Sequence, residues 1–167
     1  MKVVRWLDEY FEEYILVILL ALISVVMMTQ IVMRYAFSAS LSWPEEFTRY
    51  CFIWSVFLGT SYSVKKRNML RIDAVTTFLP KRAQEYLDLV IEVVILMFFG
   101  FLCYNSVEVV QKLYTSGQTS PAMELPMYFV YASTVVGFGL TVVRSLQNLF
   151  KLTKALKHKA IQEKGGN

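Results

Sequence analysis

Glu45, Glu46 and Arg49 stand together at the start of a long apolar run, in the segment Arg34-Tyr-Ala-Phe-Ser-Ala-Ser-Leu-Ser-Trp-Pro-Glu-Glu-Phe-Thr-Arg-Tyr-Cys-Phe-Ile-Trp54. Ionised groups resist burial in hydrocarbon, so charges at the mouth of a membrane helix have a task. Ser42-Trp43-Pro44-Glu45 carries the S-x-x-E pattern of a capping box, with proline in the first turn. Glu45 and Arg49 are four apart with the acid first, the favourable order for an ion pair along a helix. Capping and pairing together account for the start of a helix. They leave out Glu46, which points roughly 100° away from Glu45 on a helical wheel. Two readings stand: local capping alone, or capping joined to contact with another helix or another chain.

Glu92 is the one carboxylate set well inside an apolar run, and an acid at membrane depth is a functional candidate by default. The alternative is structural, with Glu92 reaching the interface or pairing with a basic residue such as Lys65 or Lys66. Ser55, Gly59 and Ser63 form a small-residue stripe at four-residue spacing, with Glu45 and Phe52 close to it on the helical wheel. Small residues let helix backbones approach closely in lipid, and either a neighbour in the same chain or a partner subunit suits the stripe. Ser133 and Gly137 make a weaker version. The single histidine, His158, lies near the C-terminus, so a haem held by two histidines is excluded and no Cys/His metal set is present. There is no nucleophile–base pair. No enzyme and no cofactor are expected.

The elements that position these residues follow from composition. The chain has 167 residues, 56% of them hydrophobic and only 18% charged, too apolar for one small water-soluble core. Four apolar runs account for the excess, each near the roughly 20 residues that cross about 30 Å of hydrocarbon. The spans are expected over 14–33, 44–64, 87–107 and 125–143. The second is free of charge only over 50–64, roughly 22 Å, so it extends back to Pro44 and leaves Glu45, Glu46 and Arg49 in the interface. Residues 1–13 form a helix with Val3, Leu7, Tyr10 and Tyr14 on one face and Lys2, Arg5, Asp8, Glu9, Glu12 and Glu13 opposite. That spacing suits a helix lying on the membrane or packed on a partner. The loop 65–86 holds a second short amphipathic stretch, Met69 to Leu79, stopped by Pro80. Residues 144–163 form a basic amphipathic helix.

The chain therefore reads as an all-α membrane protein of four transmembrane helices edged by interfacial ones. Fourteen of the 17 lysines and arginines fall in the N-terminal segment, the middle loop and the C-terminal segment, which places both termini in the cytoplasm. The opposite side has only Arg34, Arg49 and Lys112. The first run is too long, and its lead-in too acidic, for a cleaved signal peptide. The net charge of +4 draws the cytoplasmic side to anionic lipid, and nothing suggests nucleic acid as a partner. Cys51 and Cys103 lie within spans as small packing residues, with no disulfide expected.

Five pieces in order resemble the small membrane subunit (the Q subunit) of tripartite ATP-independent periplasmic (TRAP) transporters. They are Arg34-Tyr35-x-Phe37; Leu41-x-Trp43-x-Glu45-Glu46-x-x-Arg49; Trp54-x-x-x-Leu58-Gly59; Ile72-Asp73 with Leu79-Pro80; and Gly117-x-x-Ser120-Pro121-x-x-x-Leu125-Pro126. Asn68-Met69-Leu70 departs from the pattern, because many relatives carry a histidine before the Ile/Val-Asp pair.

The resemblance implies a bacterial inner-membrane, multi-pass protein working with two partners. One is a large membrane subunit that moves substrate by an elevator-like motion coupled to sodium. The other is a soluble periplasmic protein that delivers an organic acid, with sialic acids and four-carbon dicarboxylates the prominent cases. This chain would be the non-transporting scaffold, with Trp43, Glu45, Glu46, Arg49, Ser55, Gly59 and Ser63 toward the large subunit. Arg34, Lys112 and Glu124, on the periplasmic loops, would help to dock the soluble protein. Two other classes are less well served by the residues. A four-helix exporter needs a carboxylate central in the first span, and a respiratory membrane anchor needs haem-ligand histidines; both are missing.

Overall fold

A computed structural model describes residues 2–39, 41–66 and 81–165. Among them are four helices, α1 (Lys2–Ala36), α2 (Trp43–Lys65), α3 (Lys81–Ser116) and α4 (Met127–Gly165). Neither proline nor glycine interrupts Lys2–Ala36, so the lead-in expected over 1–13 and the span over 14–33 are one unbroken helix. The other end of the chain is continuous too. The fourth span and the basic C-terminal helix, expected to meet at 143/144, are continuous in α4, which also lacks proline. The third span, expected over 87–107, is the middle of a longer α3. The amphipathic stretch from Met69 to Leu79 lies outside the described residues.

Three of these helices are long and apolar enough to cross a membrane, over Tyr10–Ala36, Tyr86–Ser116 and Met127–Lys154. α2 is not among them, although its 23 residues extend roughly 35 Å at about 1.5 Å per residue. The reason is where it sits. The helices lie in the order α1, α2, α4, α3, so α2 has a neighbour on either side and carries polar residues against both. Glu46, Thr48 and Ser61 are among its buried positions.

The exposure pattern is the reverse of that in a water-soluble protein. Buried side chains among the described residues are mostly polar, including Glu12, Ser61, Ser133, Thr141, Arg144, Ser145 and Asn148. The exposed faces of α1 and α3 carry Val17, Leu20, Val25 and Met28, and Val94, Met97, Phe98 and Phe101. Such surfaces belong in hydrocarbon, where polar groups must find partners inside the protein.

A close helix crossing occurs where the weaker of the two small-residue stripes lies. A Cβ added to Gly137 would come within 2.6 Å of the Phe57 Cβ and 2.8 Å of its carbonyl oxygen, so only glycine allows α4 this near α2. The Phe138 ring then bridges to Phe57 on α2 at 5.3 Å and to Phe99 on α3 at 5.7 Å. Gly59, centre of the stronger stripe, has nothing within 4 Å of an added Cβ. Ser55, Gly59 and Ser63 are each partly covered.

Candidate functional site

Polar side chains gather at the two ends of the helix array. At one end α2 begins beside the loop that joins α3 to α4. α3 stops at Gly117, whose φ of +63° is a left-handed conformation that glycine takes without a Cβ penalty. The chain then folds into a tight hairpin. Ser120 N–H donates to the Leu125 carbonyl at 2.9 Å, and Met127 N–H donates to the Gln118 carbonyl at 2.9 Å. The Ser120 hydroxyl accepts from Leu125 N–H at 3.3 Å. Glu124 sits at φ +54°, also left-handed, and its N–H donates to the Ser120 carbonyl at 3.1 Å.

Glu46 reaches into this hairpin. Its Oε2 accepts from the backbone N–H groups of Ala122 at 3.0 Å and Met123 at 2.8 Å, and its Oε1 accepts from the Tyr50 hydroxyl at 2.6 Å. Three donors on one buried carboxylate form a charge-assisted set. The acid left over by the capping argument is therefore held within its own chain, tying the start of α2 to the tip of the loop. A hollow of about 460 Å³ opens beside it, with Arg49, Tyr50 and Ile53 on one wall and Gln118, Thr119 and Val130 on the other.

The helix start itself corrects the capping expectation. Ser42 has helical angles (φ −87°, ψ −31°) and makes no side-chain capping bond. A capping hydroxyl acts from an extended backbone, and the second helical residue here, Pro44, has no N–H to offer it. The Glu45 carboxylate turns instead to Arg49 Nη2 at 3.0 Å, as the four-residue spacing predicts, with both side chains mostly exposed. Trp43 is half-exposed and places its ring edge against Phe47 at 6.3 Å. Ser55 is intermediate in exposure, and its hydroxyl returns to the Phe52 carbonyl at 2.7 Å. Ser63 is also only partly covered. Arg34 is exposed, Glu124 is exposed on the hairpin, and Lys112 pairs with Glu108 at 2.7 Å on the surface of α3.

The other end holds a charged cluster that the pattern of the sequence conceals. Glu12, expected on the solvated face of an interfacial helix, is wholly buried. Its Oε1 accepts from Arg144 Nε at 2.9 Å and from the Ser61 hydroxyl at 3.0 Å. Its Oε2 lies 3.2 Å from Lys65 Nζ, an ion pair by distance without hydrogen-bond alignment. One carboxylate on α1 thus meets two cations, one from α2 and one from α4. Around it Asn148 Nδ2 donates to the Val64 carbonyl at 3.0 Å, and the Ser145 hydroxyl donates to the Glu92 carbonyl at 3.3 Å. All four helices contribute to this layer. The spacing of Thr141, Arg144, Ser145 and Asn148 marked a polar face on α4, but counting Arg144 only as a cytoplasmic charge hid it.

Glu92 lies at the edge of this layer, 8% exposed, with no hydrogen bond to its buried Oε1. The expected pairing with Lys65 does not occur, because Lys65 is committed to Glu12. Lys66 lies over the Tyr62 ring, 5.7 Å from its centre. Cys51 and Cys103 are both free thiols. Among the described residues no group of carboxylates, histidines and cysteines is arranged to hold a metal.

Both polar centres bind parts of the chain to one another, and the outer faces are apolar. Comparison with known proteins gives the family. Residues 23–155 match the family described as tripartite ATP-independent periplasmic transporters, DctQ component. The chain is 33% identical over 153 residues to the isethionate TRAP transporter permease protein of Oleidesulfovibrio alaskensis, which covers 88% of this chain but only 24% of that relative. It is 29% identical over 145 residues to the ectoine TRAP transporter small permease protein of Halomonas elongata, covering 87% of this chain and 74% of the relative. With the sialic acid TRAP transporter small permease protein of Vibrio cholerae it shares 27% over 161 residues, 93% of this chain and 89% of the relative. These relatives are permease components rather than enzymes. The family match, the all-helical fold and the inward-turned polar centres lead to one assignment: this chain belongs to the DctQ family, the small membrane component of tripartite ATP-independent periplasmic transporters.

Proposed function

We propose that the chain is a non-transporting scaffold subunit of a sodium-coupled TRAP transporter in the bacterial inner membrane. It stands beside a large permease component that moves the substrate, and a soluble periplasmic protein delivers that substrate. One observation carries the reading. The matched region makes up 24% of the isethionate relative and 89% of the sialic acid relative. A unit found both as a small permease protein and as about a quarter of a longer permease chain is a module that works joined to further membrane protein.

In this reading α2 crosses the membrane with the other three helices. It runs from the end marked by Glu46 and the 117–126 hairpin to the end marked by Lys65 and Arg144, as its neighbours do. Its polar residues are tolerated because α1 and α4 cover them. Both termini face the cytoplasm, by the lysine and arginine count, and the hairpin faces the periplasm. The face of α2 with the exposed Trp43, Glu45 and Arg49 and the partly covered Ser55, Gly59 and Ser63 is the side offered to the large component. Glu46 enters that interface only through the loop it holds. Arg34, Lys112 and Glu124 contribute a small landing area for the soluble protein, in the range of weak, transient encounters.

The relatives are named for isethionate, ectoine and sialic acid. One module serving such different solutes supports placing their selection in the other components. For this chain's system we propose an organic acid, a sialic acid or a four-carbon dicarboxylate. The test is co-expression with the large permease component of the same system. Joint purification, with uptake that needs sodium and the binding protein, supports the scaffold. Failure of the two to purify together refutes it.

A further inference from the structure

We infer that Glu46 is a positioning residue for docking of the soluble binding protein, acting through the hairpin 117–126. The inference rests on the reading above that this hairpin faces the periplasm and meets that protein. The hairpin is largely exposed and carries a single charged side chain, Glu124. Gln118, Thr119, Pro121 and Glu124 are exposed on it. Its own bonds close the neck, through Ser120, Leu125, Gln118 and Met127. They leave the N–H groups of Ala122 and Met123 at the tip, and both are taken by Glu46 Oε2 at 3.0 and 2.8 Å.

Apart from Glu124 N–H, which donates to the Ser120 carbonyl, the tip has no bond of its own, and a partner that docks on a loosely held tip must order it. Fixing one residue's backbone corresponds to about tenfold in an equilibrium constant. A carboxylate that holds two adjacent tip amides does that ordering in advance. The Tyr50 hydroxyl, at 2.6 Å from Oε1, holds the carboxylate in turn and fixes its second oxygen toward the tip. The chemistry needs an acceptor at the tip-facing oxygen, while the Tyr50 hydroxyl can donate or accept at the other. A glutamine can turn its carbonyl to the tip and donate its NH₂ to the Tyr50 oxygen, so it keeps the set in uncharged form, and an apolar side chain such as leucine is what leaves the tip unheld. The partner that fits is a soluble protein surface that closes over a small, preformed, weakly acidic knob. It reads backbone shape and Glu124 rather than a charged patch.

The experiment uses the full membrane complex in proteoliposomes, with its binding protein titrated outside. Glu46→Leu is expected to raise the half-saturating binding-protein concentration about tenfold, with the maximal rate at saturation kept within about twofold, and Glu46→Gln should shift it much less. Hydrogen exchange at Ala122 and Met123 should accelerate in the Glu46→Leu complex, and its yield should be unchanged. Tyr50→Phe, which keeps both tip bonds, should shift half-saturation much less. If Glu46→Leu fails to accumulate, Glu46→Asp keeps the charge but withdraws it by one methylene, and the same shift is expected. Glu124→Lys in the wild-type background tests the docking reading separately. If Glu124→Lys shifts half-saturation and the Glu46 variants do not, Glu46 is no positioning residue, although the loop docks. If neither shifts it, the loop takes no part in docking and both readings fall. A drop in maximal rate alone, with half-saturation unchanged, also overturns the proposal.

Discussion

Replacing Glu12 by leucine should destabilise the isolated chain by about 3 kcal/mol, the lower end of what breaking a buried ion pair costs. The structure sets that figure. Glu12 is fully buried, and the side chains of Arg144 and Lys65 are only 7% and 16% exposed. Without the acid, two cations face each other where water has little access. The lower end applies because Arg144 keeps its bond to the Gln147 side-chain oxygen at 2.9 Å. Ser61→Ala removes only the hydroxyl bond, and single hydrogen bonds between membrane helices average about 0.6 kcal/mol, so its effect should be several-fold smaller. The double variant Glu12→Leu/Arg144→Met should recover part of the loss, since it removes one of the two cations left without the acid and leaves Lys65. The coupling between the two sites should be about 2 kcal/mol. Unfolding by SDS in mixed micelles, followed by tryptophan fluorescence, measures all four proteins. If Glu12→Leu costs less than about 1 kcal/mol, or if the double variant is worse than the two single losses combined, the cluster is not holding α1 to α2 and α4.

Gly137→Val should disrupt packing in the isolated chain by at least about 2 kcal/mol, because its Cβ would overlap the Phe57 backbone. Gly59→Ala should be neutral or gain up to about 1 kcal/mol there, and any loss it causes in joint purification would then belong to the interface; the same SDS titration separates the two. Ser42→Ala should change stability by less than about 0.3 kcal/mol, against about 1 for a true cap, and a larger drop in thermal stability would restore the capping box. Exchanging the charges of Glu45 and Arg49 should likewise cost under about 0.5 kcal/mol, since the pair is exposed.

The overall helical architecture was legible because apolar length is written directly in the sequence. The positions of its breaks were not. A change from apolar to charged residues, as at 13/14 and 143/144, was read as a boundary, yet without proline or glycine the backbone has no reason to stop. The Glu45–Arg49 pair was legible from spacing alone, because both partners lie on one helix. Glu12 and Glu46 were not, because their partners are distant in sequence, at 61, 65 and 144 and at 122 and 123. In each case a helical wheel gave a face without saying what the face meets. The small-residue stripes show the same limit: the weaker one, at Gly137, marks the crossing, because contact depends on where a neighbouring helix runs.

The scaffold assignment is tested most directly by substrate uptake into three sets of proteoliposomes, each supplied with binding protein and a sodium gradient. One holds this chain alone, one the large component alone, and one both. The account predicts uptake only where both are present, and none from this chain by itself. Sodium-dependent uptake by vesicles holding this chain alone would contradict it.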